Sequence, residues 1–113
     1  MHEMSVVQNI INIVTLETEK NGGGRVSEIN LEIGHLSGIE YGSLEFALKH
    51  LAPGSIIESA EISIEKPEGL ARCNNCGNEF ALKDFIGCCN LCDSFDLEII
   101  KGKELRVKSI TIE

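Results

Sequence analysis

With 113 residues, 42% hydrophobic and 25% charged, the chain has the composition of one globular domain, with room for a small satellite but not for an elaborate active-site cleft. A formal net charge of -8 opposes binding to phosphate backbones, and no stretch approaches the ~20 apolar residues of a membrane helix. The early acid in "MHEMSVVQNIINIV" argues against a signal peptide, so the expected location is cytoplasmic.

The first periodic segment runs from Glu3 to about Lys20. Met4, Val7, Ile11 and Val14 recur there at helical spacing, with Ile10 and Ile13 widening the stripe, and "NGGG" at 21 to 24 ends the helix. In "RVSEINLEIG", Ile29, Leu31 and Ile33 alternate with Glu28, Asn30 and Glu32, as in a strand with one wet face. Val26 is out of phase, which predicts a bulge or a late start. Leu44, Phe46, Ala47, Leu48 and Leu51, closed by Pro53-Gly54, predict a second helix of about ten residues.

"SAEISIEK" at 59 to 66 reads as a second strand, and "ELRVKSITIE" as a third, with a one-residue slip between Val107 and Ile110. The third strand follows the cysteine-rich stretch, so it is expected to return to the first domain, since two strands alone make a marginal sheet. The expected fold class is α+β: a three-stranded sheet with two helices over residues 1–66, completed by 104–113, plus an inserted four-cysteine zinc-ribbon domain over 67–103. With aromatics at 4% and no Trp, its core must be aliphatic. Lys101, Lys103, Arg106 and Lys108 gather four of the ten cationic side chains. A solvated strand edge is the preferred reading of them, and a docking patch for an acidic partner the other.

The inserted segment offers Cys73-x2-Cys76, twelve residues, then Cys89-x2-Cys92. Two such turns can converge four thiolates on one tetrahedral ion, which describes structural zinc. Five clustered Cys in a reducing compartment fit metal ligation better than an odd-numbered disulfide framework. Cys88 is then the spare thiol, although pairing it with Cys92 would give a permissible Cys-x3-Cys. The segment looks too small to bury a core of its own, so bound metal is expected to supply much of its folding free energy. Such a closed site is scaffold rather than chemistry.

At the other end, His2 lies within chelating reach of the Met1 α-amine, with the intervening amide as a further nitrogen. Such planar nitrogen sites suit Ni(II) or Cu(II). Taken alone, a second-position His is more often accidental. His35 and His50 read as ordinary surface or core residues.

"MHEMSVVQNI", "LEIGHLSGIE" at 31 to 40, the paired knuckles and the closing "GKELRVKSITIE" together resemble the HypA family of hydrogenase nickel-incorporation proteins, from residue 1 to residue 113. The resemblance implies a non-enzymatic nickel metallochaperone with a structural zinc domain. It implies nickel ligands at the Met1 amine, the backbone and imidazole of His2 and the backbone of Glu3, with Glu40 a further candidate, and zinc at Cys73, Cys76, Cys89 and Cys92. It also implies a nickel-binding hydrogenase-maturation GTPase as partner and the large-subunit precursor of NiFe hydrogenase as client, with urease served as well by some members of the family. No nucleic acid and no membrane insertion are expected. The family's second knuckle usually reads Cys-Pro-x-Cys followed by Gly; here it is Cys89-Asn90-Leu91-Cys92 followed by Asp93, which leaves the register between Cys88 and Cys89 open. The alternatives are a zinc-ribbon module binding nucleic acid or transcription machinery, and a thiol redox enzyme.

Overall fold

The computed structural model describes residues 2–84 and 87–113. Its chain divides into two compact units. One comprises the N-terminal stretch through Leu31, then Ile39–Ile64 and Arg106–Glu113; the other comprises Glu32–Gly38 and Glu65–Leu105. No helix among the described residues is long and apolar enough to cross a membrane.

In the first unit, helix α1 (Glu3–Lys20) packs against helix α2 (Tyr41–Leu51). α1 buries Glu3, Val7, Ile10, Val14 and Thr18. That spacing follows one face of a 3.6-residue period, and it departs from the expected stripe: Met4 and Ile13 are exposed, at 51% and 45%, and Ile11 is only half-buried. Glu3 lies on that face, its carboxylate accepting the Glu40 N–H at 3.2 Å. Buried Thr18 is accommodated in the same way, its hydroxyl donating to the Val14 carbonyl at 2.7 Å.

Strand β1 (Val26–Ile33) is the centre of a sheet ordered β2-β1-β6, with β2 at Glu61–Glu65 and β6 at Leu105–Ile112. β1 and β6 run antiparallel: Arg25 and Glu113 exchange backbone hydrogen bonds of 3.2 and 2.7 Å, and Asn30 donates to the Ser109 hydroxyl at 2.9 Å. β1 buries Val26, Ile29, Leu31 and Ile33, so its inward face shifts by one residue between Val26 and Ile29. β6 shifts likewise, with Val107, Ile110 and Ile112 half-buried. The out-of-phase Val26 and the expected slip in β6 thus fall on neighbouring strands. α2 adds Leu44, Ala47 and Leu48 to the aliphatic interior and leaves Phe46 60% exposed.

The second unit holds its own sheet, which the sequence reading did not resolve into strands. β3 (Leu70–Cys73) lies between β4 (Glu79–Ala81) and β5 (Leu97–Lys101), antiparallel to both. Contrary to expectation, this unit does bury a small core: Leu36, Ala71, Cys73, Phe80, Leu82 and Cys89, with Leu97 and Ile99 against it. Leu36 arrives from outside the expected 67–103 insertion. Its segment joins this unit because Gly34, His35 and Leu36 donate backbone hydrogen bonds to Glu104, Pro67 and Gly102 at 2.8, 2.9 and 2.7 Å. Close approach there requires bare glycine: a Cβ on Gly34 would stand 2.0 Å from the Gly102 carbonyl oxygen, and one on Gly69 2.1 Å from that of Leu82.

Candidate metal centres

Two turns carry the cysteines, and they have the same backbone. In the first, Cys73 donates its N–H to the Asn78 carbonyl and accepts from Gly77, both at 2.8 Å. In the second, Cys89 donates to the Ser94 carbonyl at 2.8 Å and accepts from Asp93 at 3.0 Å. The residue four places after the leading cysteine is left-handed in each, Gly77 at φ 78° and Asp93 at φ 62°. Asp is among the few L-residues that tolerate this conformation, which explains how the second turn closes without glycine.

This correspondence aligns Cys89, not Cys88, with Cys73. The Sγ atoms of Cys73, Cys76, Cys89 and Cys92 all lie within 4.8 Å of one another, and Cys88 is not part of that group. Cys73 and Cys89 are buried, whereas Cys76 and Cys92 are exposed. The Cys73–Cys92 and Cys76–Cys89 sulfur pairs are each 3.5 Å apart. A tetrahedral ion with Zn–S bonds of ~2.3 Å needs sulfurs about 3.8 Å apart, so the donor set fits such an ion with no position left over.

N–H groups surround the sulfurs. The Cys76 and Leu91 amides point at Cys73 and Cys89 Sγ, each at 3.4 Å, and the Asn75 side chain at Cys92 Sγ, at 3.5 Å. Asn78 reaches Cys89 Sγ at 3.9 Å and donates to Asn90 at 2.6 Å, joining the two turns. The Cys92 backbone N–H, assisted by that of Leu91, holds the Cys89 thiol down at about 6. Cys92 is also lowered, first by the Asn75 amide. For Cys76 the Asn78 N–H favours thiolate, but the Cys89 thiol first, then desolvation and the thiols of Cys92 and Cys73, prevail and push it up to about 12. Four thiols this close cannot all ionise by themselves; a dication among them removes the conflict. The asparagines escaped the sequence reading, although the density of Asn74, Asn75, Asn78 and Asn90 around the knuckles was visible in it.

At the other candidate centre, Met1 lies outside the described residues. His2 precedes α1, is exposed, makes no side-chain cap bond, and accepts the Val6 N–H on its carbonyl at 2.9 Å. Glu3 is only 4% exposed, and its carboxylate accepts the backbone N–H of Glu40 at 3.2 Å. The structure therefore brings together Glu3 and Glu40, two acids 37 positions apart. The Glu40 carboxylate caps α2, and its pKa is lowered by the Gly42 N–H first and then by the Ser43 hydroxyl and N–H. His35 is exposed in the other unit, while His50 stacks on Phe46 with ring centroids 4.0 Å apart.

A protein family described as hydrogenase/urease nickel incorporation, metallochaperone, hypA, matches residues 1–112. The chain belongs to the HypA family. The hydrogenase maturation factor HypA of Chlorobaculum tepidum is 42% identical over 113 residues, covering all of both chains. That of Parabacteroides distasonis is also 42% identical, over the whole of this chain and 98% of its own. A solution structure of a HypA protein is similar with a TM-score of 0.70 at 26% identity, over 100% of this chain and 97% of that one. The solution structure of the Ni metallochaperone HypA from Helicobacter pylori has the same fold, with a TM-score of 0.70 at 24% identity over 99% and 97% of the two chains. HypA proteins are metallochaperones, which carry metal rather than convert a substrate, and this member combines that role with a four-cysteine metal-binding cluster.

Proposed function

We propose that this chain carries Ni(II) at its N-terminus during NiFe-hydrogenase maturation, and that zinc at Cys73, Cys76, Cys89 and Cys92 is structural. The family match over residues 1–112 is the observation that carries the nickel assignment. The division of labour is supported by chemistry. Four convergent sulfurs complete a tetrahedron and leave no exchange position, so zinc there supplies folding free energy.

His2, by contrast, is exposed at a helix start with its imidazole uncommitted to the cap. Its imidazole and backbone nitrogen, the Met1 α-amine and the Glu3 backbone nitrogen would give the planar nitrogen set that Ni(II) prefers. Such a set at a chain terminus can release its ion ligand by ligand to a recipient. The recipient is the hydrogenase large-subunit precursor, served together with a nickel-binding GTPase.

Inserting one Gly before Met1 keeps every side chain but moves the amine out of the chelate. Nickel affinity should fall sharply, as it should in His2→Ala, while zinc content and far-UV circular dichroism stay at parent values. A Gly-extended protein that binds nickel as tightly as the parent would sink the terminal chelate.

A further inference from the structure

Both oxygens of the Glu40 carboxylate are already engaged. Oε2 accepts the Gly42 N–H at 2.7 Å, and Oε1 accepts the N–H and hydroxyl of Ser43 at 3.1 and 3.0 Å. The side chain is seated against the bare Cα of Gly42, where a Cβ would stand 3.2 Å from each of the two carboxylate oxygens. A negative group at this end of α2 also meets the favourable end of the helix dipole. Three of the carboxylate's roughly four acceptor sites are thus taken, and swinging the side chain toward a metal would loosen the cap on the first turn of α2.

The backbone of the same residue does something else. Its N–H donates to Glu3 Oε2 at 3.2 Å, and Glu3 is buried directly beside exposed His2. The start of α1 is thereby fastened to the start of α2 through one residue whose own conformation, φ -90° and ψ 117°, is held by its capping side chain.

We infer that Glu40 is a positioning residue for the terminal nickel site: capped onto α2, it fixes Glu3 and through Glu3 the emergence of His2, without touching the metal. This rests on the nickel reading above. Residues that hold ligands in place commonly matter for affinity nearly as much as the ligands do.

Asn caps a helix as well as Asp does but offers no carboxylate, so it separates the two roles. The experiment titrates the untagged, zinc-loaded parent, Glu40→Ala and Glu40→Asn with Ni(II), reading affinity and the d–d absorption of the bound ion. Hydrogen exchange at the Gly42 and Ser43 amides is followed in the same nickel-free samples. Expected results are an affinity loss of about tenfold and faster exchange in Glu40→Ala, both largely restored in Glu40→Asn, with the parent's absorption spectrum in all three. If Glu40→Asn regains amide protection but binds as weakly as Glu40→Ala, or its bound nickel absorbs differently from the parent's, the carboxylate is a ligand and the inference is overturned. Parent-like affinity in Glu40→Ala overturns it too. His2→Ala is the control for the underlying reading: a parent whose nickel binding does not depend on His2 ends both, whereas an aberrant Glu40 series in a His2-dependent parent ends only this one.

Discussion

Asp93 stands in the left-handed conformation at φ 62°, where its counterpart in the first turn is Gly77. Asp93→Gly should therefore leave zinc content unchanged, while Asp93→Val should lose about 1–2 kcal/mol in chemical denaturation, the cost of a left-handed L-residue with a branched Cβ. The matching hydrogen bonds of the two turns also set the thiol register. Cys88→Ser should retain about one zinc per chain by metal analysis, and Cys89→Ser should lose it. The reverse result would move the ligand to Cys88. Glu40 gives a pH dependence with a definite sign. Its pKa is lowered in the folded chain, so its capping contribution is complete above the ordinary carboxylate range and is lost as pH falls through the lowered folded value. Amide protection at Gly42 and Ser43 should then exceed that of Glu40→Gln near neutrality and converge with it in acid.

At the scale of elements, α1 shows how a stripe of apolar residues can be read one notch off. Ile10 and Ile13 are alike in sequence, yet Ile10 is 6% exposed and Ile13 45%. Truncation separates them: Ile10→Ala should cost about 2–4 kcal/mol in urea unfolding, through lost burial and a residual cavity, and Ile13→Ala less than about 1. In the second unit, β3 crosses the sheet with Arg72 between Glu79 and Glu98 at 3.0 and 3.4 Å. All three side chains are about half exposed, so these pairs organise the surface and add little stability. The interior cluster around Ala71, Cys73, Phe80 and Cys89 matters more, and two of those four are thiols aimed at the metal site.

For the whole molecule, that placement would tie the fold of the second unit to an ion held by the four sulfurs. Stripping zinc with a strong chelator should abolish amide protection across β3, β4 and β5, while helical circular dichroism persists because α1 and α2 belong to the unit without the cysteines. Loss of all helical signal would mean that the units do not fold separately. Acid should release the two metals in order. Protons compete for an imidazole near ~6.5 and an α-amine near ~8 before they displace zinc-bound thiolates, so nickel should leave first on lowering pH. Simultaneous release would contradict two independent sites.

The two helices, the strands β1, β2 and β6, the one-residue slip in β6 and the convergence of two cysteine turns were legible in the sequence. Each is written in a local period or spacing, and a local pattern does not depend on what packs against it. What the sequence alone left open was decided by partners far away in the chain. That Glu3 and not Met4 is buried on α1 goes with its carboxylate meeting the Glu40 N–H, 37 positions away. The grouping of Cys89, rather than Cys88, with the first turn depends on its sulfur meeting that of Cys76, 13 positions away. The core of the second unit depends on Leu36, brought in by the backbone bonds of residues 34 to 36. None of these carries a periodic signal, because a hydrogen bond or a close glycine contact between distant segments exists only once both have been folded into place.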